Sequence, residues 1–385
     1  MSFHGHHHSS SNSPSHKDSI SIKNPQAVRG TEPGSPGRPK SAESELLGAV
    51  AELNSKSIRF KKFEALLDLN IVDMDQLKKL SWMGVPEEIR HTVWKLLMGY
   101  LPTNSTLREK ILAQKRSEYQ EYCDQQFSDD GKAGLDHALV HQIHIDILRT
   151  NASIPLYQSK VIQESLERIL YIWAIRHPAS GYVQGINDLA TPFFQVFLQS
   201  HVKDDVERTN VELIDTAVLK EVEADTYWCL TRLLDGIQDN YTHAQPGIQR
   251  QIARLKELIN RIDAQLYGHF QKEGVEFIQF AFRWMNCLLM RELPLKSTVR
   301  MWDSYQAEGI EGLNDFHLYV CAAFLVKWSA ELKKMEFQDI IQFLQSTPTS
   351  TWGDRDIELL LSEAFMWKSL FGSSPQHLKN NNPNA

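Results

Sequence analysis

From Phe60 to about Ser346 the apolar residues of this chain return at helical spacing, and strand-length alternation of apolar and polar residues does not compete anywhere. A period near 3.6 lines up one face of a helix, whereas a half-buried strand needs a period of two. The fold class predicted is therefore all-α: one elongated multi-helix domain, in one lobe or two. Phe60, Phe63, Leu66 and Leu67 open the series, and Asp73 with Gln76 has the form of a capping box for the next helix. Pro86, Glu87 and Glu88 start another, with acidic groups that complement the helix dipole. Ile89, Val93, Leu96 and Leu97 line its buried stripe, Trp94 lies beside the stripe, and Gly99 is its C-cap.

The charged segment 105–128 reads as a solvated helix that the Gly131–Gly134 stretch breaks. Ile162, Leu166, Ile169, Leu170 and Trp173 form a broad apolar face beyond it. The run Leu189, Phe193, Phe194, Val196, Phe197 is too dense for a surface helix and is predicted to be central. Residues 200–224 are acidic and read as an insertion or long connection, with Asp225 as an N-cap after them. Further helical patterns cover 248–267, 274–291, 315–330 and 336–346.

With 385 residues, 42% hydrophobic and 23% charged, the chain can bury a substantial core. A net charge of -7 with dispersed basic residues leaves no electrostatic footprint for nucleic acid. Cys123, Cys229, Cys287 and Cys321 have no Cys-x-x-Cys spacing and read as buried thiols of a reducing compartment. Residues 1–45, rich in Ser, Pro, Gly and His, form a predicted disordered arm. His4, His6, His7 and His8 lack acidic or cysteine partners and read as a solvated tract rather than a metal site. No apolar run approaches the ~20 residues that span a bilayer, and no transmembrane segment or signal peptide is expected. The expectation is a cytoplasmic or peripheral protein.

Two short stretches carry the chemistry. Ile143, Asp146 and Arg149 form one slanted row at helical spacing, apolar, acidic and basic, and Arg149 stands where the helical pattern gives way to Asn151, Ser153 and Pro155. An arginine at a helix end can project while Asp146 holds its guanidinium. Gln184 lies between Gly181 and Gly185, after a helix that Pro178 terminates, and so belongs to a tight loop. A mobile positive charge and a group that orients water are what hydrolysis of a GTP γ-phosphate requires. Taken singly, the first pair is an ordinary surface salt bridge and the glutamine an amide satisfying its own loop.

Together and in order, the two stretches resemble the Ile-x-x-Asp-x-x-Arg and Tyr-x-Gln-Gly motifs of the TBC-domain Rab GTPase-activating proteins. Gly84-Val85-Pro86 with Arg90 and Trp94 resembles that family's opening signature. Phe282-Arg283-Trp284 and Arg300-Met301-Trp302-Asp303 resemble its later motifs, and Ile172–Gly181 is worded like its Golgi-associated subgroup. The resemblance implies an all-α Rab-GAP domain over 84–310, a helical lead-in over 46–83, C-terminal helices of the same domain over 311–371 and a disordered tail over 372–385. It implies an activator of a GTP-bound Rab-family GTPase in vesicle trafficking, with Arg149 and Gln184 as two catalytic fingers. Asp146, Arg90, Trp94, Tyr182, Gly185, Asn187 and Asp188 would support them. No P-loop is present, so GTP and magnesium would come with the partner, and no cofactor or metal of the chain's own is expected. The arm would recruit adaptor proteins. One departure is Thr150–Ile154, which intervenes before Pro155 where the family often has an earlier proline, so the finger loop is free to sit differently. A silent Rab-binding adaptor and an unrelated helical scaffold remain open.

Overall fold

In the computed structural model, which describes residues 42–372 apart from 129 and 130, every regular element is helical. Strand pairing among the described residues is limited to an isolated antiparallel bridge between Ile71 and Asn104. The predicted arm up to residue 41 and the tail from 373 lie outside the described residues.

The chain runs through α1 (Ala42–Leu67), α2 (Met74–Trp82), α3 (Glu87–Leu97), α4 (Arg108–Phe127), α5 (His137–Leu148), α6 (Lys160–Arg176), α7 (Ile186–Gln199) and α8 (Thr216–Gly236). It continues through α9 (Pro246–Ile262), α10 (Ala264–Glu273), α11 (Ile278–Asn286), α12 (Leu295–Ala307), α13 (Gly309–Lys327), α14 (Ser329–Leu332), α15 (Phe337–Gln345) and α16 (Asp354–Phe371). A boundary at Glu52 divides α1, and from Leu53 onward the chain is one compact unit.

The predicted central helix is α7, buried at every position from Ile186 to Leu198. It packs against α3, α5, α6, α8 and α12. Pro192 interrupts its hydrogen-bond ladder, since proline has no N–H to give to the carbonyl four residues back. The carbonyl left over is that of Asp188, and the Thr191 hydroxyl donates to it at 2.8 Å.

One carboxylate fastens α3 and the turn before it to α12. Asp303, fully buried on α12, accepts from the Val85 backbone at 2.8 Å, the Trp94 indole at 2.7 Å, and Arg90 Nε and Nη2 at 3.1 and 3.2 Å. The indole ring also stacks on Trp302 and meets Phe193 of α7 edge-on. Gly84 is needed beside this knot: its φ is +97°, and a Cβ there would crowd the Arg300 guanidinium, 2.7 Å from Nε.

Several sequence expectations need correction. Asp225 caps nothing: α8 begins nine residues earlier, with Asp215 accepting from Ala217 N, and Asp225 sits buried in mid-helix. There it receives two hydrogen bonds from Arg116, at 2.8 and 2.9 Å, one from Tyr100 at 2.7 Å, and an ion pair from Lys95. The α4 helix is accordingly not a solvated rod, because Tyr119 and Cys123 are buried and Arg116 reaches across to α8. The acidic connection is shorter than its composition suggests, holding the turns Val206–Arg208 and Val211–Leu213 before α8. The 248–267 pattern is two helices, divided where Asp263 caps α10 by accepting from Leu266 N. All four cysteines are buried and free.

Removing the Asp303 carboxylate strands several buried donors at once. Asp303→Ala should lower stability by roughly 3–5 kcal/mol, read as a drop in urea midpoint. Trp94→Phe, which forfeits one donor, should cost about 1–2 kcal/mol.

Burial opposes ionisation of Asp225, but hydrogen bonding from Arg116 and the charges of Lys95 and Arg116 outweigh it and hold the carboxyl below its ordinary value. A depressed folded-state value contributes stability that is complete above the unfolded value, ~3.9, and is lost as pH falls through the folded one. Asp225→Asn should therefore reduce stability at neutral pH and flatten its acid limb below about pH 4, measured as urea midpoints across pH.

Candidate functional site

The site is built where the end of α5 meets the start of α7. Asp136 begins α5 as its N-cap, accepting from Ala138 N and Leu139 N, and the helix stops at Arg149, whose backbone is its C-cap. The Arg149 side chain is 58% exposed, and its guanidinium donates to Asp146 Oδ1 at 2.5 Å. Asp146 is buried, so this pair differs from an exposed i, i+3 salt bridge: one member is fixed in the interior and the other projects.

The glutamine arrives by two reversals of the chain. The link 150–159 makes α5 and α6 antiparallel, as the Asp136 N to Tyr171 Oη bond (3.0 Å) and the His144–Glu167 pair (2.6 Å) show. That reversal alone would leave the glutamine near the start of α5. Residues 177–185 then run back toward the end of α5, turning at Gly181 with φ +62°. Tyr182 closes the return by donating its hydroxyl to Asp146 Oδ2 at 2.8 Å. Burial, then the hydrogen bond and charge of Asp146, push the Tyr182 phenol well above its ordinary range, so it stays a donor.

A second strand of the network runs beneath the first. Asn187 accepts from Gly185 N at 2.9 Å and donates through Nδ2 to the Thr150 hydroxyl at 2.9 Å. Thr150 in turn donates to the Asp146 carbonyl at 2.8 Å. Thus the residue after the arginine and the residue after the glutamine are joined through one buried amide. Gln184 itself is exposed, and among the described residues its side chain has no hydrogen-bond partner. It does not satisfy the loop, which is the bland role open to it in the sequence; Asn187 does that work.

The loop after Arg149 docks on α7. Asn151, at φ +45°, donates to the Thr191 hydroxyl at 3.0 Å, and Tyr157 donates to the Thr191 carbonyl at 3.0 Å. Pro155 opens a short 3-10 turn, Pro155–Gln158, with Leu156 and Tyr157 buried.

Gly185 is left-handed at φ +111° and ends the glutamine loop directly before α7. Asp188, in the first turn, receives Arg291 Nε at 2.8 Å and lies 3.6 Å from the Cys287 thiol. Burial raises the Asp188 carboxyl above its ordinary value, with Arg291 opposing. Asp146, Arg149, Tyr182, Gly185 and Asn187 thus come together through the buried network and Asp188 lies just behind it. Arg90 and Trp94 are not part of that network: among the described residues both bond to Asp303, and Trp94 meets Phe193 of α7 edge-on. The sequence names Thr150 only as part of the stretch before Pro155, and it gives no supporting role to Asn286, Cys287 or Arg291. The last three follow the Arg283-Trp284 motif, which was the available signal.

Among the described residues no group of three His, Cys, Asp or Glu side chains could hold a metal ion. None of their helices is long and apolar enough to cross a membrane.

The model of the Rab-GTPase-TBC domain matches residues 87–333. The GTPase-activating protein gyp1 of Schizosaccharomyces pombe is 57% identical over 332 residues, 86% of this chain and 65% of that protein. Human TBC1 domain family member 22B is 51% identical over 340 residues, 88% of this chain and 67% of that protein. The chain spans about two thirds of the length of these relatives. Among solved structures, the Ypt/Rab-GAP domain of Gyp1p matches with a TM-score of 0.78 at 53% identity, covering 82% of this chain and 99% of that one. A domain model that matches more than half of the chain, together with relatives this similar, leaves one assignment: the chain belongs to the Rab-GTPase-TBC domain family.

Proposed function

We propose that this chain is a GTPase-activating protein for a Rab-family GTPase, and that it acts on the GTP-bound partner by inserting Arg149 and Gln184. The observation that carries the reading is a pair of exposed polar side chains, an arginine and a glutamine, on two segments that one buried network pins together. The names of its relatives support the activity: gyp1 is called a GTPase-activating protein, and the matched domain of Gyp1p a Ypt/Rab-GAP domain.

In this mechanism Arg149 neutralises charge that builds on the transferring phosphoryl group, and Gln184 orients the attacking water. Asp146 fixes the starting position of Arg149. When the guanidinium leaves for the phosphate, the buried carboxylate still receives the Tyr182 hydroxyl, so it is not stranded. The nucleotide and its magnesium belong to the partner. By likeness to the family, the site of action is the cytoplasmic face of an endomembrane, the Golgi among them, in vesicle transport.

A finger supplied in trans accounts for ~10³–10⁵ in rate, about 4–7 kcal/mol of barrier. Arg149→Ala should cause a loss of that order in single-turnover GTP hydrolysis on a responsive Rab. Arg149→Lys should be nearly as damaging, because lysine keeps the charge and loses the planar fork. A lysine variant that keeps most of the stimulation would discard the bidentate role.

The glutamine is tested on the partner. A Rab whose own catalytic glutamine is changed to alanine should still be stimulated by the unaltered chain and not by Gln184→Ala. Since the Gln184 side chain holds nothing in place, Gln184→Ala should leave the thermal melt unchanged. A Gln184→Ala protein that stimulates at full rate removes the second finger, and a chain that binds GTP-loaded Rab without stimulating any of a panel is an adaptor instead.

A further inference from the structure

The Gln184–Gly185 peptide unit is held from both sides by asparagine side chains. Its N–H donates to Asn187 Oδ1 at 2.9 Å, and its carbonyl accepts from Asn286 Nδ2 at 2.8 Å. Asn286 comes from the last residue of α11, 102 positions further along the chain. It is 6% exposed, and its own carbonyl is tied down by the Tyr241 hydroxyl at 2.8 Å. The contact is close enough that Gly185 has no alternative: a Cβ there would overlap Asn286 Nδ2 and lie 3.1 Å from Cys287 Sγ.

The Asn286 amide is satisfied on one side alone. Its Oδ1 is buried with no hydrogen-bond partner among the described residues. Turning the amide over would set two oxygens against each other at the Gln184 carbonyl, so the donor must face the loop. A buried amide kept with its acceptor unpaired is an unfavourable choice for packing alone, where an apolar side chain of similar size would serve better. Its donor is what the position requires.

We infer that Asn286 is a positioning residue for Gln184: with Asn187 it clamps the 184–185 peptide plane, and so sets the direction in which the exposed glutamine side chain leaves the backbone. With the plane held at both N–H and C=O, the backbone torsions flanking the bond cannot rotate freely. Arg291 and Cys287, both on Asp188, hold the start of α7 against the same segment that carries Asn286. The clamp therefore ties the glutamine turn to the α11 end of the domain, as Thr150 ties it to the arginine. This rests on the proposed use of Gln184 as a finger.

The test compares Asn286→Ala and the similarly sized Asn286→Leu, neither of which can donate, each alone and combined with Gln184→Ala. On a responsive Rab, each single variant should lower the saturating rate by up to about 10²-fold while leaving the half-saturating concentration near that of the unaltered chain. In the Gln184→Ala background the same substitutions should have little further effect, since they act through a side chain already removed. Losses that multiply in that background, or that appear only in half-saturation, overturn the inference. Amide exchange at Gly185 is the activity-independent arm: it should accelerate in both variants while the Arg149 and Ile186 amides keep their rates. Unchanged exchange at Gly185 also overturns the inference. If the unaltered chain stimulates no Rab, the functional reading fails by itself and the exchange result still decides whether the clamp exists.

Discussion

The whole site depends on a carboxylate that the fold has taken out of water. Asp146 is buried, and an interior carboxylate must find donors for both oxygens or become a large liability. It finds Arg149 on one side and Tyr182 on the other. Those two bonds settle where α5 can end and where the returning segment 177–185 must lie. Because Arg149 supplies one donor from outside and Tyr182 the other from within, one oxygen stays satisfied whatever position the exposed guanidinium takes.

The same logic recurs across the domain at longer range. Asp303 gathers the turn before α3, Arg90 and Trp94 onto α12, and Asp225 gathers α3, α4 and the residues after α3 onto α8. Each carboxylate gathers several donors from elsewhere in the chain onto its own helix, so the helices are set in register by polar bonds as well as by apolar contact. That register is what the two projecting side chains need. Neither Arg149 nor Gln184 can be aimed by its own packing, since both are largely in solvent.

Local chemistry is legible in the sequence, and remote pairing is not. The row Ile143, Asp146, Arg149 at the end of a helical pattern locates the arginine, and two glycines locate the glutamine turn, because both signals lie within a few residues. Asn286 serves a backbone 102 positions away and Asp303 serves one 218 positions away, so the motifs beside them mark the segments and not the partners. Asp225 shows the converse error. An aspartate before an apolar run reads as a cap, yet here its partners are Arg116, Tyr100 and Lys95, and the true cap, Asp215, lies ten residues earlier in an acidic stretch that hides it. The charged α4 misleads for the same reason: composition records how many charges a helix carries and not which of them are answered by a neighbour.

Thr191 has two duties that belong to different parts of the molecule. Its hydroxyl proton goes to the Asp188 carbonyl that Pro192 leaves free, and its oxygen receives the Asn151 amide from the loop behind the arginine. An ordinary residue at 192 would restore an N–H to that carbonyl and release the hydroxyl to reorient, altering what Asn151 meets. Positions 151, 191 and 192 are thereby one unit of inheritance: a lineage that changes the length or polarity of the loop after the arginine must rework the middle of its most deeply buried helix as well, and substitutions at the three sites should be correlated across descendants.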